Sequence, residues 1–281
     1  MKKILIGLMG LMGLIGMTAC DKIEPGANGE YTIYAGSTAT WTDGIMPATL
    51  VQRALVEKYT GPKCVNCPTA DVILNQAHSH LGDQMVTVSI NPRNGDGAPF
   101  DGQPDMSTDD GEQWVLHFCG NSTPALPVAF LNRDTKYEGT GTIAGIEAAI
   151  ADAVAAEPIV AIDVNAATAT DGKVAIDVTV GFLQDMPDAL TLTLVLIEDS
   201  LVYMQAGSSD PNYAHNHMLR DVITDVWGLD IDATGTAGEA RKAPFRYTLP
   251  DGVVKANSHI VAFVSDKATR KVINCAQCSI N

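Results

Sequence analysis

Hydrophobic spacing divides the chain near Pro158. Leu50-Val51 and Ala54-Leu55-Val56 make a continuous apolar stretch that ends at Tyr59-Thr60-Gly61-Pro62, which predicts a buried strand running into a turn. After Cys67-Pro68, residues Ala70, Ile73, Leu74, Ala77 and Leu81 recur at helical spacing until Gly82 stops them. Met85 to Ile90 predicts a second strand. Asn91 to Gly111 is rich in Gly, Pro and Asp and predicts a long loop, functional or disordered. A short helix around Glu112 to Phe118, a proline-marked turn and a strand at Val128 to Leu131 follow. A helix that Thr142 caps then carries Ile143, Ile146, Ile150 and Val154 on one stripe and closes at Pro158. Strands alternating with helices make residues 46–157 an α/β unit.

Beyond Pro158 the period changes from 3.6 to 2. Val160, Ile162 and Val164 alternate with small or acidic residues, as do Val174, Ile176, Val178 and Val180, with Asp171-Gly172 between them as a hairpin signal. Leu190 to Leu196, Phe245 to Leu249 and Ile260 to Val264 continue the series to a last strand near Val272. Residues 158–281 therefore predict an all-β sandwich of about seven strands. No repeat of solenoid or propeller period is present.

The first residues tell where the chain goes. Lys2 and Lys3 precede an apolar run from Ile4 to Met17, too short to span a bilayer and suited to a secretory signal. The run ends Met17-Thr18-Ala19-Cys20, which resembles a bacterial lipobox, although Met17 replaces the usual leucine. Residues 1–19 are read as a lipoprotein signal peptide, Cys20 as the lipid-bearing residue, and 20–45 as a flexible tether. Acidic residues outnumber basic ones 33 to 18. Removing the leader, which holds two lysines and no acids, widens the balance to 33 against 16. Nucleic acid is thereby excluded as a partner.

Six cysteines are too few for a disulfide scaffold but enough for one chemical site. Cys64-Val65-Asn66-Cys67-Pro68 stands between a buried strand and an amphipathic helix, where C-x-x-C reads as a redox pair. Three residues of helix advance about 4.5 Å and return to nearly the same face, so both sulfurs can bond. Cys64, at the helix N-terminus, is the candidate nucleophile, because unsatisfied N–H groups there favour a thiolate. Cys67 would resolve a mixed disulfide. A static disulfide and half of a zinc site are the other readings.

This arrangement resembles the thioredoxin fold. Leu126-Pro127-Val128 precedes a strand much as that fold's cis-proline does, so Pro127, in preference to Pro124, would present a backbone edge beside the disulfide. Glu57 resembles the buried carboxylate that moves the resolving cysteine's proton in such proteins; an exposed strand-end acid is its alternative. The Trp-Cys-Gly-Pro-Cys sequence of general thioredoxins is absent, with Lys63 before the first cysteine and Val65-Asn66 between the two.

A closer resemblance rests on Tyr59 to Pro68, on Pro127-Val128-Ala129-Phe130-Leu131-Asn132-Arg133, and on Tyr213-Ala214-His215-Asn216-His217-Met218-Leu219-Arg220. Together these look like the outer membrane protein 28-related lipoprotein family, over nearly the whole mature chain. That resemblance implies a thioredoxin-like domain followed by an immunoglobulin-like β-sandwich. It places the protein in the cell envelope as an outer-membrane lipoprotein, facing the periplasm or exposed at the surface.

Other signals have plainer readings. His215 and His217 could share a face and, with Arg220, touch a ligand. The alternative has their ring nitrogens satisfied locally and Arg220 paired with Asp221 or Glu198. Cys275 and Cys278, if extended, point to opposite faces and cannot bond; Cys119 reads as a core thiol. Asp230 to Gly235 begins like a calcium loop, but Arg241 stands where a bidentate Glu is required. Gly139-Thr140-Gly141 reads as the start of a Thr-capped helix rather than a phosphate loop.

An envelope binding lipoprotein with a thioredoxin-like module ranks first. A thiol–disulfide oxidoreductase and a structural envelope component are the alternatives. The expected partners are the membrane, through the lipid, and proteins or peptides. No cofactor is expected beyond the redox disulfide and the lipid on Cys20, and no metal.

Overall fold

A computed structural model of the chain describes residues 40–231 and 235–281. The signal peptide, Cys20, most of the tether and residues 232–234 of the acidic turn lie outside the described residues. In chain order the first elements are β1 (Thr42–Asp43), β2 (Ala54–Tyr59), α1 (Cys67–Leu81), β3 (Met85–Ile90) and α2 (Asp109–Trp114). Next come β4 (Val128–Leu131), β5 (Thr135–Glu138), α3 (Gly139–Ile143) and α4 (Ile146–Val154). The remainder is β: β6 (Val160–Thr168), β7 (Val174–Phe182), β8 (Leu190–Glu198), β9 (Leu201–Val202) and β10 (Ala214–His215). β11 (Met218–Val222), β12 (Leu229–Asp230), β13 (Ala240–Tyr247), β14 (Ser258–Asp266) and β15 (Val272–Ser279) complete it. The architecture is mixed α/β with mostly β content.

β2 and β3 run parallel, joined by the crossover helix α1, in register from Ala54↔Met85 to Tyr59↔Ile90. β4 lies antiparallel on the other side of β2, and β5 forms the edge. Every residue of β2 and β3 is buried because both faces of the pair are covered. On one face Ala54 and Val56 meet Ala70, Leu74, Ile143 and Ile146 of the helices. On the other, Leu55 and Tyr59 meet Trp114 and Phe130. That double cover explains an apolar run without alternation.

The two halves share one sheet. β11 pairs parallel with β3 at Met218↔Ser89 and antiparallel with β8, so the strand order runs β15-β14-β8-β11-β3-β2-β4-β5, with β12 also on β8. A smaller sheet, β1-β13-β7-β6, packs over its β8 and β14 end around Val178, Leu194, Phe245 and Ile260. All nine residues of β8 are buried, including Thr191 and Thr193, because this strand is covered on both sides. Among the described residues no helix is long and apolar enough to cross a membrane.

Several elements differ from the sequence expectation. Thr142 does not cap the helix: it lies inside α3, its hydroxyl donates back to Glu138 O at the end of β5 at 2.6 Å, and α4 starts separately after Gly145. The strand expected from Leu50 starts at Ala54, and Leu50 is half exposed. The last residues of the expected tether join the fold. Thr42–Asp43 pair with β13, and Trp41 Nε1 donates to Asp230 O at 2.8 Å. The 91–111 insertion is ordered around Arg93, which holds Asp109 at 2.6 Å while its amide donates to Glu112 at 2.9 Å.

Candidate functional site

Cys64 and Cys67 form a disulfide with a Cα–Cα separation of 5.4 Å, at the point where β2 turns into α1. A run of turn bonds builds the bend: Cys64 N donates to Gly61 O at 3.0 Å and Cys67 N to Cys64 O at 3.3 Å. Gly61 is required here, because a Cβ on it would stand 2.2 Å from Asp96 O. The helix begins at Cys67 with Pro68 in its first turn, so Cys64 sits one turn ahead of the helix rather than on it. Leu126–Pro127 is a cis peptide bond directly before β4, as the sequence places it.

The other three cysteines of the described structure are free thiols. Burial pushes the thiol of Cys119 up to about 11, that of Cys278 to about 11 and that of Cys275 to about 12, so all three stay protonated. Cys275 and Cys278 point to opposite faces of β15, into different cores, as their odd spacing requires. Among the described residues no cluster of three His, Cys, Asp or Glu side chains fits a metal ion.

Strand alternation puts Glu57 out of reach of the cysteines. It projects with Leu55 and Tyr59 to the face opposite α1, where Arg133 grips it through Nε to both oxygens at 3.0 Å and through Nη2 to Oε1 at 2.6 Å. Glu57 is buried, so the exposed strand-end reading is wrong. Arg133 is in turn stacked on Trp114, Phe118 and Phe263, at 4.3, 5.0 and 4.7 Å from the ring centres. This is a locked structural pair, not a proton shuttle beneath Cys67.

The ionisable groups on the α1 face are residues that sequence reasoning missed. Lys58 Nζ pairs with one oxygen of Asp71, and the Tyr213 hydroxyl donates to the other. The available signal was spacing: Asp71 follows Cys67 by four positions, so both share a face of α1. These groups line a cleft of about 450 Å³, bounded by Pro68 and Val72 on α1 and by Gly207 to Asp210 opposite.

The two histidines do not converge. His217 has a left-handed backbone, φ 59°, which breaks the extended spacing, and its Nδ1 lies 3.3 Å from Asp199. His215 packs edge-on against Tyr213 with ring centres 5.0 Å apart. Arg220 pairs with Glu198 at 3.2 Å.

Burial, aided by the charge of Lys58, pushes the His215 imidazole down to about 4. The unfolded chain protonates this group near its ordinary value of about 6.5, so its contribution to stability is complete above that pH and drains away between about 6.5 and 4. The urea midpoint should fall on going from pH 7 to pH 5, and the drop should be smaller in His215→Gln.

With this geometry in view, known proteins define the class. A solved structure, HBP35 of Porphyromonas gingivalis, covers 83% of this chain and 77% of its own at 17% identity, with a TM-score of 0.65. A crystallographically solved protein of Agrobacterium tumefaciens covers 82% of this chain and 95% of its own at 13% identity, with a TM-score of 0.53. These likenesses establish a shared β-rich α/β fold. No curated protein sequence matches the chain. A family model described as outer membrane protein Omp28 matches residues 121–281, more than half of the chain. The chain belongs to the Omp28 family, a family of the outer membrane in the cell envelope. The matched span includes Pro127, the following strand and the Tyr213–Arg220 motif but starts after the C-x-x-C, so it is narrower than the whole mature chain.

Proposed function

We propose that this protein is a lipid-anchored envelope protein, held by Cys20, whose thioredoxin-like module carries a redox-active Cys64–Cys67 disulfide acting on envelope polypeptides. The observation that carries this reading is the position of the disulfide at the β2–α1 turn of a parallel β-α-β unit, with Pro127 heading the strand beside it. An immunoglobulin-like sandwich built from residues 158–281 is the scaffold against which this module is mounted. In the exchange, a substrate thiolate attacks Cys64 Sγ, and the S–S electron pair leaves on Cys67. Cys67 takes up the proton that the substrate thiol released. The second substrate thiol, as its thiolate, then attacks the substrate sulfur of the mixed disulfide, and Cys64 leaves with the electron pair and takes up that thiol's proton. The pair gains two electrons as the substrate dithiol becomes a disulfide.

The test is a trap. In Cys67→Ser the lone Cys64 thiolate can run the exchange only in reverse, attacking a partner's disulfide with no Cys67 to release the product, so mixed disulfides with envelope proteins should accumulate as reductant-sensitive adducts, while Cys64→Ser should form none. Equal adduct levels in the two variants would discard the exchange reading. A second reading, a binding lipoprotein in which the disulfide is only structural, is supported by the mixed polar and apolar cleft along α1. It predicts a strongly reducing potential and no thiol transfer.

A further inference from the structure

The turn that carries the cysteines is covered by a segment from the distant half of the chain. Between β9 and β10 the backbone leaves its sheet at Tyr203 and returns at Tyr213, whose carbonyl accepts from the Tyr203 amide at 3.2 Å. The excursion lies across residues 61–65. Ala206 N donates to Pro62 O at 2.7 Å. Gln205 Nε2 donates to Cys64 O at 2.9 Å and to Gly61 O at 3.2 Å. Gly207, with φ +79°, sits so close that a Cβ on it would stand 2.0 Å from Val65 O. Under this cover each cysteine is 1% exposed, although Val65 between them is 65% exposed.

Disulfide exchange requires a thiolate to reach a sulfur, so access controls rate as much as chemistry does. We propose that residues 205–207 are an autoinhibitory strap: they hold the backbone acceptors on which a thiol-bearing polypeptide docks, and the Cys64–Cys67 pair exchanges only when the strap lifts. This proposal rests on the exchange reading above. The acceptors are three main-chain carbonyls: Pro62 O takes the Ala206 N–H, while Gly61 O and Cys64 O take the Gln205 carboxamide on the lone pairs that the turn's own bonds from Cys64 N and Cys67 N leave over. An extended polypeptide supplies donors of that kind, and a small thiol does not. The strap is also built to come away. Of residues 203–210 only Gln205 is buried, and the segment is flanked by open clefts on either side, so a local opening breaks few contacts.

The experiment uses the oxidised full chain and follows reduction by dithiothreitol, with alkylation of Cys64 and Cys67 as the readout. Gln205→Ala, which removes both side-chain bonds to the turn, should speed reduction about tenfold. Gly207→Val, which forces the segments apart, should speed it further. Hydrogen exchange at the Ala206 amide reports lifting independently, and circular dichroism establishes that each variant is folded. A wild-type reduction rate in a variant whose Ala206 amide exchanges faster would overturn the strap. So would an Ala206 amide that remains as protected in Gly207→Val as in the parent. Faster reduction without disulfide transfer to a reduced protein dithiol would leave the strap standing and discard the exchange reading, so the two failures are distinct.

Discussion

Replacing Arg133 with leucine should lower the free energy of unfolding by about 3–5 kcal/mol, because it strands the buried Glu57 carboxylate without the guanidinium that holds it. Both side chains of the pair are 1–2% exposed, so solvent cannot take over. The variant also vacates the space among Trp114, Phe118 and Phe263 that the guanidinium fills. Urea denaturation measures the loss. The control is the double variant Glu57→Leu with Arg133→Leu, which removes both charges and should recover much of the stability. A single variant within 1 kcal/mol of the parent would mean that the pair contributes as little as an exposed one does.

Asn274 should be the second large loss. It is fully buried and uses all its hydrogen-bonding capacity on backbone: Nδ2 donates to Val51 O at 3.0 Å and Val160 O at 2.7 Å, while Oδ1 accepts from Arg53 N at 2.9 Å and Cys275 N at 2.8 Å. One side chain thus ties β15 to β6 and to the segment entering β2. Asn274→Ala leaves four backbone groups without partners and should cost about 4 kcal/mol. Asn165→Ala, on the exposed side of β6, should change stability by less than about 0.5 kcal/mol in the same denaturation series.

What could be read from the sequence was whatever local spacing dictates. α1 was legible because Pro68 opens it, Gly82 closes it and the apolar positions between keep a helical period. β6 and β7 were legible because alternation is strict and Gly172, φ +81°, supplies the turn. The cysteine pair and Pro127 followed from motif position.

Long-range pairing was not legible. Glu57 was singled out, but its partner Arg133 lies 76 residues away, and nothing local to either residue announces the other. β11 was hidden because its ladder is irregular between Leu219 and Asp221 and because His217, with a left-handed backbone, interrupts the extended run before it. The buried threonines of β8 mimic a solvent face, and only tertiary packing covers them. Gln205 carried no signal at all, since a polar loop residue gains meaning only from the turn it meets 141 positions earlier.

The seam at β3 sets what can be transplanted from this protein. Ser89 receives β11 through its amide, at 2.7 Å from His217 O, and through its hydroxyl, at 2.9 Å from Asn216 O. A graft of the cysteine-bearing half onto a foreign host would leave that strand edge bare and adhesive. Engineers who want the disulfide elsewhere must carry β11, and with it β8 and β14, as cargo.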